Sequence, residues 1–155
     1  MRKIAITLGL VAVAAVSTPA MAGEGRVETR GGIAWANGNE EAVAGVAAGY
    51  DFDLGQEESG SVFFGVEGSA DKILTSGSQV VWGTTARLGA KVGDGGKLFA
   101  TAGYTFGDGE DVPHLGAGYE QKLGDSGVYL KAEYRHFFSD FVDVNTAVAG
   151  VGFKF

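Results

Sequence analysis

The sequence contains no cysteine, which excludes a disulfide framework, a thiolate metal site and a thiol nucleophile. Proline occurs twice, at Pro19 and Pro113. Beyond the first two dozen residues no apolar run is long enough for a membrane-spanning helix, which needs ~20 residues, and helical periodicity is nowhere evident. Positive charge is scarce: 12 Lys and Arg stand against 19 Asp and Glu, and they are not clustered. Nucleic acid is therefore excluded as a partner, because phosphate binding needs grouped bases. Residues 1–22 lack acidic side chains altogether.

That acid-free start has its own pattern. Arg2 and Lys3 precede an apolar run from Ile4 to Val16, then Pro19 and the small-residue site Ala20-Met21-Ala22. A basic n-region, a short apolar h-region and an A-x-A site make a secretory signal peptide, with Ala20 and Ala22 in the peptidase pockets and cleavage after Ala22. The rival, a membrane anchor, needs a longer run. The reading divides the chain into a signal peptide, 1–22, and one domain, 23–155. Loss of Arg2 and Lys3 shifts the formal charge from −7 to −9.

The domain is rich in glycine, 27 in the whole chain. Clusters of Gly, Asn, Asp and Ser stand at 37–39, 55–60, 75–78, 93–96, 107–113, 124–127 and 139–140. These residues tolerate the backbone angles that hairpins demand. They cut the domain into strands near 26–36, 41–54, 61–72, 79–92, 97–106, 113–123, 127–138 and 142–155. Most are longer than the five or six residues usual in soluble sheets. An even number of long antiparallel strands suits a closed up-and-down barrel crossing a bilayer at a tilt.

Alternation sorts the strands into two faces. One carries Val27, Ile33, Trp35, Val46, Tyr50, Phe52, Phe64, Trp82, Leu88, Leu98, Ala102, Tyr104, Leu115, Leu130, Tyr134, Phe153 and Phe155. The other carries Arg26, Glu28, Arg30, Asp51, Asp53, Glu67, Asp71, Arg87, Lys91, Glu120, Lys122, Lys131, Glu133, Arg135 and Lys154. A soluble barrel, such as a periplasmic lipocalin-like binder, would turn the apolar face inward. A membrane barrel turns it to lipid. The apolar face is poor in bulky aliphatics and rich in alanine, and its aromatics gather near strand ends. Trp35, Trp82, Tyr104, Phe106 and Tyr134 fall at one rim, and Tyr50, Phe52, Phe64, Phe153 and Phe155 at the other, as interfacial girdles do. The expected fold is an all-β, eight-stranded antiparallel transmembrane barrel, its inward charges Arg30, Glu67, Arg87, Glu133 and Arg135 forming an ion-pair network. A gated polar channel is the functional alternative for those five.

The end of the chain is the most specific stretch. It reads Val128-Tyr129-Leu130-Lys131-Ala132-Glu133-Tyr134-Arg135, a short acidic loop, then Ala149-Gly150-Val151-Gly152-Phe153-Lys154-Phe155. It resembles the small outer-membrane barrels of the opacity-protein and OmpA-like group, often labelled porin-family proteins, over the whole domain. That resemblance implies a Gram-negative outer membrane, contact with its lipids and lipopolysaccharide, and Phe153 and Phe155 as the signal read by the barrel-assembly machinery. It also implies a monomer. Adhesins of that group carry long loops, whereas the loops here are short.

Some barrels of this size modify lipid A, one of them with a His and a Ser two residues apart on one strand face. His136 and Ser139 are three residues apart, a spacing that on one strand places them on opposite faces. Ser126 is the other candidate partner for His136. His114 follows Pro113 at a loop edge with no paired serine. No Gly-x-Ser-x-Gly elbow or zinc-binding His pair occurs. The acidic stretch Asp108-Gly109-Glu110-Asp111 lacks the alternating ligands of a calcium loop. The expectation is a non-enzymatic barrel with no catalytic, metal or cofactor site, serving envelope integrity or surface interaction. A lipid A-modifying enzyme and a soluble binder are the alternatives.

Overall fold

Asn37 and Gly38 both carry positive φ, 49° and 80°, in a two-residue turn closed by the Ala36–Asn39 pair. Positive φ at both central residues matches the twist of the strands it joins. Gly93 and Gly95, φ 56° and 79°, flank Asp94 in a three-residue turn closed by the Val92–Gly96 pair between the fourth and fifth strands. The computed structural model describes residues 23–54, 61–107 and 111–155. The signal peptide expected at 1–22 and the turn expected at 55–60 lie outside them.

Among the described residues eight strands run in sequence order: β1 (Gly23–Ala36), β2 (Asn39–Asp53), β3 (Val62–Ile73), β4 (Val80–Val92), β5 (Gly96–Phe106), β6 (Val112–Lys122), β7 (Val128–Phe137) and β8 (Val144–Lys154). Each pairs antiparallel with the next, and β8 returns to β1 to close the barrel. The seam ends on reciprocal bonds, Gly25 N–H to the Phe155 carbonyl at 2.9 Å and Phe155 N–H to the Gly25 carbonyl at 3.0 Å. Among the described residues no helix is long and apolar enough to cross a membrane.

The polarity of the barrel is inverted relative to a soluble one. Among the described residues only Ala34, Val43, Ala47, Phe63, Phe99 and Tyr129 are buried apolar or aromatic groups. Buried polar and charged side chains outnumber them, from Arg26 and Glu28 on β1 to Lys154 on β8. Outside stand Val27, Ile33, Val46, Val66, Leu88, Leu98, Leu115, Leu130 and Val151, all exposed. In water that exterior would be a continuous apolar patch far beyond what a monomer tolerates. Against lipid it is the stable arrangement. The soluble, lipocalin-like alternative fails on this point, since its apolar face would have to line the interior.

Candidate functional site

Because side chains alternate across a strand, the register decides which charges meet inside. Among the described residues, eight acids (Glu24, Glu28, Asp51, Asp53, Glu67, Asp71, Glu120, Glu133) and eight bases (Arg26, Arg30, Arg87, Lys91, Lys97, Lys131, Arg135, Lys154) point inward and pair with one another. The lumen is thus formally neutral. The pairing has three levels along the barrel axis.

Nearest the chain termini, Lys97 Nζ donates to Glu24 at 2.6 Å and to Asp51 at 2.8 Å. Lys154 lies 2.6 Å from Glu120 Oε1, and Arg87 donates to Glu120 Oε2 at 3.1 Å. The Arg87 guanidinium carbon sits 4.1 Å from the Phe99 ring centre and 5.0 Å from that of Phe63. A cation on a ring face gains attraction from the ring quadrupole, more so when desolvated. In the middle, Glu67 accepts from Arg26 at 2.7 Å, Arg30 at 3.0 Å and Arg135 at 2.8 Å. Arg135 also donates to Glu133 at 2.5 Å. Lys131 bonds Glu28, whose other oxygen accepts the Tyr129 hydroxyl at 2.8 Å. Arg30 completes this level with a two-pronged bond to Asp71. Nearer the other rim, His114 is buried between two hydroxyls, Thr85 at 3.0 Å on Nε2 and Thr105 at 3.2 Å on Nδ1. A cavity of about 30 Å³ lined by Arg30, Val43, Asp71, Arg135, Thr146 and Val148 lies beside Asp71.

All five residues expected in the network, Arg30, Glu67, Arg87, Glu133 and Arg135, are buried in the lumen. Four of them, Arg30, Glu67, Glu133 and Arg135, join directly, while Arg87 belongs to the level nearer the termini. Sequence reading missed Glu24 and Lys97, which sit at strand starts. It also missed the inward aromatics Phe63, Phe99 and Tyr129. A signal existed: each faces a glycine in register, Phe63 and Phe99 opposite Gly89, Phe99 opposite Gly118 and Tyr129 opposite Gly152. A Cβ at Gly118 would lie 2.5 Å from the Phe99 ring, and one at Gly152 would lie 2.4 Å from Tyr129. The glycines leave room for the rings.

His114, expected at a loop edge, is the third residue of β6, and its side chain is buried in the lumen. The separation of His136 from serine also has a different cause from the one expected. β7 stops at Phe137, so strand alternation does not reach Ser139. His136 Nδ1 instead bonds Asn145 at 2.8 Å, with Asp143 3.4 Å from Nε2. The Ser139 hydroxyl accepts the N–H groups of Phe141 and Val142. Ser126 caps a turn at the far end of β7, donating to the Leu123 carbonyl at 3.0 Å. Of the acidic stretch 108–111 only Asp111 is described, accepting the Gly107 N–H. No cluster of metal-ligating groups occurs among the described residues.

On the exterior, Trp35 and Tyr134 rings stand 6.1 Å apart and Tyr104 and Phe106 rings 5.1 Å apart at the rim remote from the termini. Trp82 there is 63% exposed. At the terminal rim, Tyr50 and Phe52 rings are 4.8 Å apart, with Phe64, Phe153 and Phe155 also exposed. Phe52 pairs with Gly23, about a dozen residues below Trp35 on β1. At ~3.4 Å per residue that is ~40 Å along the strand, and a tilt of ~40° reduces it to ~30 Å. That matches the hydrocarbon thickness of a bilayer.

No protein-family model matches the chain, and no curated protein matches it. Solved structures do. The N-terminal β-barrel domain of Pseudomonas aeruginosa OprF aligns with a TM-score of 0.60 at 16% identity, over 86% of this chain and 100% of that one. Neisserial surface protein A aligns at 0.56 and 15% identity, over 86% and 97%. The attachment invasion locus protein Ail of Yersinia pestis aligns at 0.54 and 17% identity, over 87% and 100%. With an apolar band outside a charged lumen, the chain has the fold of the eight-stranded barrels of bacterial outer membranes.

Proposed function

We propose that the protein is a non-enzymatic outer-membrane barrel whose lumen is a plug, contributing to envelope integrity and presenting short acidic hairpins to the outside. The carrying observation is the shared network in which eight inward acids pair with eight inward bases among the described residues. Eight strands leave an interior just wide enough for side chains. The cavity beside Asp71, about 30 Å³, has room for about one water molecule. A gated channel would need a continuous wet path, and the paired charges occupy it. Phe153 and Phe155 serve assembly, the girdle aromatics hold the barrel at its depth, and outer-membrane lipids with lipopolysaccharide surround a monomer.

Both termini of an even-stranded barrel lie in the periplasm, so the hairpins at 37–38, 74–79, 107–111 and 138–143 face outward. The described parts of those segments and their flanking strand ends carry Glu40, Glu41, Asp111, Asp140 and Asp143 against one base, Lys72. Ail has been crystallised with the heparin analogue sucrose octasulfate. The rim here is of the wrong sign for such a polyanion.

Planar-bilayer recording tests the plug: purified protein should give conductance near baseline. A large, steady conductance would establish a channel instead. Lipid A mass spectra from a deletion strain should match those of the parent, and an altered acyl pattern would move the reading to an enzyme.

A further inference from the structure

Phe141 is the most exposed large apolar side chain of the described residues, at 87%. Its position is built, not frayed. Ser139 Oγ accepts the Phe141 N–H at 3.1 Å and the Val142 N–H at 3.3 Å, and Asp143 Oδ1 accepts the Ser139 N–H at 3.2 Å. These bonds fold the segment between β7 and β8 into a tight turn with Phe141 at its tip. Phe138 and Val142 beside it are also exposed.

We propose that this tip is a docking surface for a cationic, amphipathic protein segment, an inference that rests on the outward orientation of the hairpin end. Two occupants compete with that one. Bilayer lipid is the first, but Phe141 lies four residues past the end of β7, beyond the Trp35–Tyr134 level. Asp140 and Asp143 flank it, and carboxylates resist entry into hydrocarbon. A second copy of the chain is the other, and two rims of the same sign repel.

Charge selects the partner. The lumen is neutral, so the negative charge of the domain sits on its rims. Glu40 and Asn145 both pair in register with Trp35, which places Glu40 two strand spacings, ~10 Å, from the start of β8. Glu40 and Glu41 are exposed and make no ion pair among the described residues. Lys72, the one base at this rim among the described residues, pairs in register with Ala44 and Val80 on the β2–β3–β4 side. A segment offering Lys or Arg beside an apolar side chain would meet carboxylates around an aromatic ring, which also attracts cations on its face.

The test uses the mature protein in nanodiscs of zwitterionic phosphatidylcholine, with Phe141→Trp as reporter and empty nanodiscs as background. Two dodecapeptides are titrated, one alternating Lys and Leu, the other Glu and Leu. The Lys–Leu peptide should give a saturable blue shift, with binding weakened about tenfold when salt rises from about 50 to about 300 mM. Labelled peptide should bind Phe141→Ser, and separately Glu40→Gln/Glu41→Gln, about tenfold more weakly than the parent. Any one of four results overturns the proposal: no saturable binding above empty discs, equal response to the Glu–Leu peptide, indifference to the substitutions, or quenching of the introduced indole by brominated acyl chains without peptide. Heat-modifiable migration in gels and baseline conductance are followed in parallel. If those hold while peptide binding fails, the docking surface is lost and the plugged barrel stands.

Discussion

Arg135 Nη2 donates to Glu67 Oε1 at 2.8 Å, joining β7 to β3 across the full width of the barrel. The two strands are four apart in a ring of eight, so the bond runs along a diameter. Arg26 and Arg30 of β1 reach the same carboxylate. One side chain therefore ties three strands that share no backbone ladder with one another, apart from their common neighbours.

Removing Glu67 should accordingly be costly. Glu67→Ala strands three buried guanidinium groups beside a missing charge, and breaking a buried pair in this way costs roughly 3–5 kcal/mol. Glu133→Ala should lie in the same direction with a smaller loss, because Arg135 keeps Glu67. Urea titrations of folding in lipid vesicles read both. A Glu67→Ala barrel as stable as the parent would show that the network contributes nothing to stability.

The fit of Phe99 against Gly118 gives a second expectation. Gly118→Ala would bring a methyl to 2.5 Å from the ring and 2.8 Å from the Ala132 carbonyl. Overpacking of this kind costs ~1–3 kcal/mol. Phe99→Leu in the same chain should return part of that loss, the ring part, and leave the carbonyl part. A double-mutant cycle should show coupling of at least ~0.5 kcal/mol. Strict additivity would mean that ring and glycine do not share the space.

The two faces were legible in the sequence because lipid and lumen impose opposite polarity at period two, so Leu98 and Ala102 sort away from Arg87 and Lys131 without any structure. The connections inside were not. Whether Arg135 meets Glu67 depends on the stagger of β7 against β3, which alternation leaves undetermined. Phe63, Phe99 and Tyr129 escaped because a polarity sort has no place for a ring on the charged face. Only their register with Gly89, Gly118 and Gly152 explains them. His114 escaped for a local reason: Pro113 reads as a turn residue, yet it lies in the second position of β6.

Maturation offers a test at the chain's start. Cleavage after Ala22 should leave Gly23 as the first residue of the cellular protein, read directly by intact-mass spectrometry. A major species that keeps Met1 would end the reading of 1–22 as a signal peptide.

The last expectation concerns which side faces lipid. Thr101 and Ala102 are neighbours on β5. Thr101 is buried in the lumen, its hydroxyl 3.4 Å from Glu133 Oε1. Ala102 is exposed between Ala86 and Leu115 of the adjoining strands. An Arg at position 102 would meet only acyl chains, at a cost of roughly 2–4 kcal/mol near the bilayer midplane. The same side chain at 101 would stand beside Glu133, though crowding against Arg135 and Gly116 adds a steric cost. Asp and Asn at each position separate the two effects, because both are close to Thr in size. Folding titrations in vesicles should therefore rank Ala102→Asn below Thr101→Asn and Ala102→Asp below Thr101→Asp, the latter gap narrowed by the carboxylate that Thr101→Asp sets beside Glu133. Ala102→Arg should also fall below Thr101→Arg unless crowding dominates, and the Asn comparison measures that crowding without charge. A reversed order in the Asp and Asn pairs would mean that Ala102 faces the lumen, and the inside and outside of the barrel would exchange places.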